Sequence, residues 1–177
     1  MKTAFVLIGP ALCLAAGCTA PGAVGGGQMP LSAANSAAFL DELSSQPQVT
    51  EAQAFRGLLL VLDNDRQMTF AEAVSALKQT GIVSQSWDFQ ADRPITRGKL
   101  AYMFYQACHM RGGLTLTLTG PSQRYCLREL QYRGYMAPGL FYNKVTGMEF
   151  IAVLTRADEL RQTGEVSPVL IREDIAL

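Results

Sequence analysis

Apolar residues recur at helical spacing through most of the chain, and polar caps punctuate them. Phe70, Ala73, Val74 and Leu77 fall at i, i+3, i+4 and i+7, which gives one apolar helix face. Thr69 and Glu72 have the spacing of a capping box, in which the hydroxyl and the carboxylate satisfy free amides at a helix start. Gly81 can adopt the left-handed conformation that ends a helix. A second helix is expected from Thr96, with Leu100, Met103, Phe104 and Ala107 on its face and a stop at Gly112-Gly113. The order then returns. Ser122 follows Pro121 as a cap, Leu127 and Leu130 supply a face, and Gly134 ends the helix. Thr146 and Glu149 form another capping box before Phe150, Val153, Leu154 and Ala157, each 50 residues beyond its counterpart in the earlier helix. Matching faces and caps at one offset indicate an internal repeat.

A third copy is expected at the front. Ser36 is placed to cap a short helix carrying Phe39, Leu40 and Leu43. Val49-Thr50-Glu51-Ala52-Gln53 then opens a helix with Ala54, Leu58 and Val61 on its face, although Gly57 stands where the other copies have a large apolar residue. One segment breaks the helical pattern. Leu114 to Thr119 reads LTLTLT, the alternation of a half-buried strand. Its partner would be Val169 to Ile171, where Pro168 restricts pairing to an edge; a linker between repeats is the alternative. The expected fold class is mainly α: two or three helix-loop-helix repeats in a small bundle, with a short strand at 114–119.

The N-terminus has a different chemistry. Lys2 precedes an uncharged apolar stretch from Thr3 to Ala16, shorter than the roughly 20 residues of a membrane span and arranged as a secretory signal. Leu14-Ala15-Ala16-Gly17-Cys18 resembles the lipobox of bacterial lipoproteins, with the leucine one place further out than usual. The resemblance implies lipid on Cys18, and Thr19, which is not aspartate, favours the outer membrane, facing the periplasm. Residues 19–36 carry no charge and are rich in Gly, Ala, Pro and Ser, the composition of a tether. The expected organisation is a signal peptide at 1–17, a tether from Cys18 to residue 36, a repeat domain at 37–160 and a C-terminal tail at 161–177.

Charge narrows the partners. The chain has 15 basic and 15 acidic residues, so no global nucleic-acid footprint exists. From Asp92 to Arg133, however, seven basic residues face only Asp92 and Glu129, an excess that suits an anionic polymer or simply wets helix faces. With Cys13 in the signal and Cys18 lipidated, Cys108 and Cys126 remain as an even pair. In an oxidising compartment they form either a disulfide or two small buried thiols. No metal or cofactor is expected: the single histidine, His109, adjoins Cys108 without zinc-ligand spacing, and its place near a helix end suits a structural cation. The chain has no Gly-x-Ser-x-Gly elbow, phosphate loop or paired-His motif, so an enzyme is not expected. Trp87, Tyr102, Tyr105, Phe141 and Tyr142 could stack on sugar rings or serve as core anchors.

The segment from Phe89 to Ala101, FQADRPITRGKLA, resembles the second half of an S-layer homology repeat, and the likeness extends over about residues 69–110 and, more loosely, 122–160. Members commonly carry three repeats in a pseudo-threefold helical bundle that grips cell-wall glycans. By resemblance, Thr96, Arg97 and Trp87 are the glycan-binding candidates. The family arginine falls on Arg97 in the middle unit, but on Glu51 in the first and Gly147 in the last, while the acidic position of the middle unit is Lys99. The function expected is a membrane-anchored lipoprotein that binds peptidoglycan or an anionic wall glycan. The alternative is a structural or accessory subunit that contacts other envelope proteins.

Overall fold

The computed structural model describes residues 28–29, 33–62 and 68–164. Seven helices lie among them: α1 (Ala33–Ser44), α2 (Glu51–Val61), α3 (Phe70–Gln79), α4 (Arg97–Ala107), α5 (Leu114–Thr119), α6 (Gln123–Tyr132) and α7 (Gly147–Thr163). The protein is mainly helical, as the periodicity predicts. Two short strands, β1 (Gln28–Met29) and β2 (Met68–Thr69), pair antiparallel. The expected signal segment, Cys18 and Val169–Ile171 lie outside the described residues. No described helix is long and apolar enough to cross a membrane.

Three units emerge: α1–α2, α3–α4 and α6–α7, with α5 inserted before the third. The second helix of each begins in the same way. Thr50, Thr96 and Thr146 are extended N-caps whose hydroxyls accept from the amides of Gln53, Lys99 and Glu149. Before each cap stands a fully buried β-branched residue, Val49, Ile95 or Val145, and four residues after it an apolar one, Ala54, Leu100 or Phe150. These are the positions of a hydrophobic staple, which fixes how the chain enters a helix.

Those three β-branched residues meet. The amide of Ile95 donates to the carbonyl of Val49 (2.9 Å), that of Val145 to Ile95 (3.3 Å), and that of Val49 to Val145 (2.9 Å). The ring is closed, so each buried donor and acceptor at the centre of the molecule is satisfied by the next unit. Helix packing follows the same cycle: α2 lies on α3, α4 on α6 and α7 on α1. The bundle is thus a pseudo-threefold ring of helix pairs, and the first unit is a full member of it.

The core supplies the reason for the odd glycine in the first unit. A Cβ on Gly57 would come within 2.6 Å of the Phe150 ring, so the third unit's phenylalanine fills the space that a large side chain on α2 would need.

Several expectations are corrected. The strand over 114–119 is the helix α5: only Leu116 among its leucines is buried, and no sheet edge among the described residues stands beside it. Without a partner a strand would leave its backbone groups unpaired, whereas a helix satisfies them internally. Helix α4 ends at Ala107, not at Gly112-Gly113. His109 adopts a left-handed φ of 46°, and the amides of His109 and Met110 donate to Gln106 and Tyr105, which is a Schellman ending. Ser36 lies inside α1 rather than capping it. The helical domain begins before residue 37, since α1 starts at Ala33, and α7 continues past residue 160 to Thr163.

Candidate functional site

The threonine caps bring the first and third residues of each helix that follows to the junctions between units. In α2, Glu51 is 1% exposed and sits directly after its cap. Its carboxylate accepts from the Gln90 amide (2.8 Å), from Arg93 Nε and Nη2 (3.1 Å each) and from Lys99 Nζ (2.7 Å). The hydrogen bond to Glu51 is also the main reason that the Arg93 guanidinium holds its proton more tightly than usual. Lys99 Nζ lies 4.7 Å over the Phe89 ring. A buried carboxylate is tolerable only with such a set of partners.

Arg97 occupies the corresponding place in α4. Its Nη1 donates to the carbonyls of Ala137 (3.3 Å) and Pro138 (2.8 Å), and its Nη2 pairs with Glu149 Oε1 at 2.6 Å. The two side chains are only 12% and 13% exposed. Gly139 makes room, because a Cβ there would collide with the guanidinium. Arg97 therefore closes the junction between the second and third units and presents no free donor fork to a ligand. Glu149, expected to complete a capping box with Thr146, instead turns to Arg97; only the threonine half of the box forms. Thr96 is likewise engaged, as the cap of α4.

Trp87 lies elsewhere. The long loop between α3 and α4 carries it onto α4, where its ring is 4.9 Å from that of Tyr102. Trp87, Tyr102 and Phe141 line an open groove of about 440 Å³, together with Ser84 from the same loop as Trp87 and Ser122, Gln123 and Arg124 from the start of α6. Arg124 is exposed, and no ion pair among the described residues engages it. The groove thus offers aromatic faces, short polar side chains and one free cation, a combination able to stack on sugar rings and neutralise an acidic substituent. The aromatics were legible in the sequence. Arg124 was visible only as part of the basic stretch, because its proximity to Trp87 depends on the packing of α6 on α4.

Cys108 and Cys126 are free thiols. The disulfide, one of the two outcomes expected, is not formed, and the geometry explains why. Gly98 and Gln123, at the starts of α4 and α6, adjoin each other. Cys126 is on the first turn of α6, whereas Cys108 caps the far end of α4, about 15 Å along that helix at 1.5 Å per residue. Burial pushes the Cys108 thiol up to about 11 and the Cys126 thiol up to about 12, which suppresses the thiolate that reacts. His109 is exposed at the end of α4. Among the described residues no group of three or more His, Cys, Asp or Glu side chains is arranged to hold a metal ion.

Comparisons with models of protein families, with curated proteins and with solved structures find no match to this chain.

Proposed function

We propose that this protein is an envelope lipoprotein, anchored by lipid on Cys18, whose helical domain binds an anionic cell-wall glycan. The observation that supports this reading best is the Trp87–Tyr102–Phe141 groove with the unpaired Arg124 at its wall. Sugar rings present apolar faces that stack on aromatics, and carboxylate or phosphate substituents favour a guanidinium that can donate two parallel hydrogen bonds. The ligand contacts shift from Arg97, which the fold uses internally, to Arg124. The reading assigns no catalytic step.

Trp87 is the sole tryptophan, so its emission reports the groove directly. Titration with purified peptidoglycan fragments should change that emission, and Arg124→Ala should weaken binding by about tenfold, the scale of one charge-assisted hydrogen bond. An Arg124→Ala variant that melts and binds like the parent would reject the glycan site. The anchor is tested separately: Cys18→Ser should abolish labelling by radioactive fatty acid. A second reading, contact with another envelope protein, draws support from the exposed Leu140, Phe141 and Tyr142 beside the groove. An unresponsive Trp87 together with co-purification of a partner through those three residues would favour it.

A further inference from the structure

The insertion α5 has no counterpart in the other two units, and the ring of caps does not require it. Only Leu116 anchors its inner face. Leu114 and Leu118, one turn apart, are each 75% exposed, and Tyr132 on the neighbouring α6 is 89% exposed. Six residues are far below the roughly 12 to 15 at which an isolated helix becomes marginally stable, so α5 depends on what it touches. Two of its threonines bond back to the helix. Thr117 and Thr119 donate their hydroxyls to the carbonyls of Gly113 and Thr115, the back-bonding pattern that relieves a threonine of its need for water.

The surroundings are basic. Arg111 precedes α5, and Arg128 lines the hollow between α5 and α6 with Tyr132. Both arginines are exposed, and no side-chain hydrogen bond or ion pair among the described residues engages either. Glu129, the carboxylate lining that hollow, is paired with Arg133 at 2.7 Å. Apolar side chains bordered by free cations match the layered chemistry of a membrane surface, where acyl chains lie beneath anionic headgroups.

We infer that α5 and the adjoining face of α6 dock on an anionic phospholipid bilayer, with Leu114, Leu118 and Tyr132 in the interfacial layer and Arg111 and Arg128 among the headgroups. A lipid on Cys18 would hold the domain near the bilayer. The contact itself stands on α5 and α6 alone, so its test removes the lipid.

The chain from residue 18 onward, carrying Cys18→Ser, is floated with vesicles of phosphatidylglycerol and phosphatidylethanolamine, and in parallel with phosphatidylcholine vesicles. It should float with the first and remain behind with the second, and added salt should release it. Arg111→Gln with Arg128→Gln should weaken binding roughly fivefold for each arginine removed. Leu114→Ser with Leu118→Ser should also reduce flotation, and neither pair should lower the melting temperature, because all four side chains are exposed. Failure of the parent to float with anionic vesicles, or undiminished flotation of both double variants, would overturn the inference. So would self-association in the ultracentrifuge that the leucine variants abolish while vesicles bind nothing, since the face would then belong to a second copy. The Trp87 glycan titration should be unchanged in all these variants, which separates this surface from the groove.

Discussion

The junction between the first and second units and that between the second and third solve one problem with opposite signs. At the first, Glu51 follows the cap of α2 and meets Lys99, three residues after the cap of α4. At the second, Arg97 follows the cap of α4 and meets Glu149, three residues after the cap of α7. The positions correspond and the charges are exchanged. At the third junction the corresponding position brings no charge: Gly147 follows the cap of α7, its amide donates to Gln46 (3.0 Å), and a Cβ there would run into the Leu43 carbonyl. The geometry of the ring is therefore held by the backbone, while the pairing chemistry is free to vary provided that each buried charge meets its opposite. The differences among the units at Glu51, Lys99 and Gly147 become a coherent set once the junctions are seen together.

Breaking the first junction should have the largest effect. Glu51→Ala leaves Arg93 and Lys99 without their shared carboxylate, and removing one partner of a buried pair costs about 3 to 5 kcal/mol; urea unfolding measures it. Restoring polarity in reverse, with Glu51→Lys and Lys99→Glu together, should recover part of the loss suffered by Glu51→Lys alone. No recovery would mean that the two positions are not an interchangeable pair.

Gly147→Ala comes next. The new methyl must displace backbone rather than a side chain, so a loss of about 3 kcal/mol is expected, at the upper end of ordinary overpacking. A variant as stable as the parent would show that the third junction is looser than its contacts imply. Arg97→Ala should cost about 2 kcal/mol by leaving the mostly buried Glu149 unpaired, well above the roughly 0.5 kcal/mol usual for an exposed surface substitution. Arg97→Ala combined with Glu149→Ala should cost less than the sum of the single changes, and strict additivity would dissolve the pair. The smallest effect is a gain. His109 holds the left-handed position that Gly134 holds at the end of α6, so His109→Gly should stabilise by about 0.5 to 1 kcal/mol, read as a higher melting temperature.

Much of this architecture is written locally. A threonine followed at the third place by a residue with a free amide, a β-branched residue before it and an apolar residue after it specify a helix start wherever they occur, and they do so three times. The apolar faces of α3, α4, α6 and α7 follow from spacing alone, and each expected face residue of α4 and α7 is buried. Gly81 and Gly134 end their helices as their freedom at positive φ allows. The first unit was harder to read because its face is interrupted at Gly57, and the interruption makes sense only against Phe150, far away in sequence.

Non-local neighbours decided the rest. LTLTLT alternates as a strand does, yet α6 offered it a helix face and no sheet edge, and backbone groups without a partner strand are satisfied only by turning inward on their own helix. Arg97 sits at a helix start that reads as exposed, until the loop carrying Ala137, Pro138 and Gly139 closes over it. Cys108 and Cys126 are an even pair by count, but the common starting level of α4 and α6 sets them apart. Trp87 and Arg124 share a groove because α6 packs on α4. Caps, faces and turn glycines act over a few residues, so the sequence by itself determined the helices of the repeating units and their repetition. Which charges are buried, which arginine is free and which leucines face outward depend on surfaces that meet only when the ring closes, and these the tertiary structure alone decided.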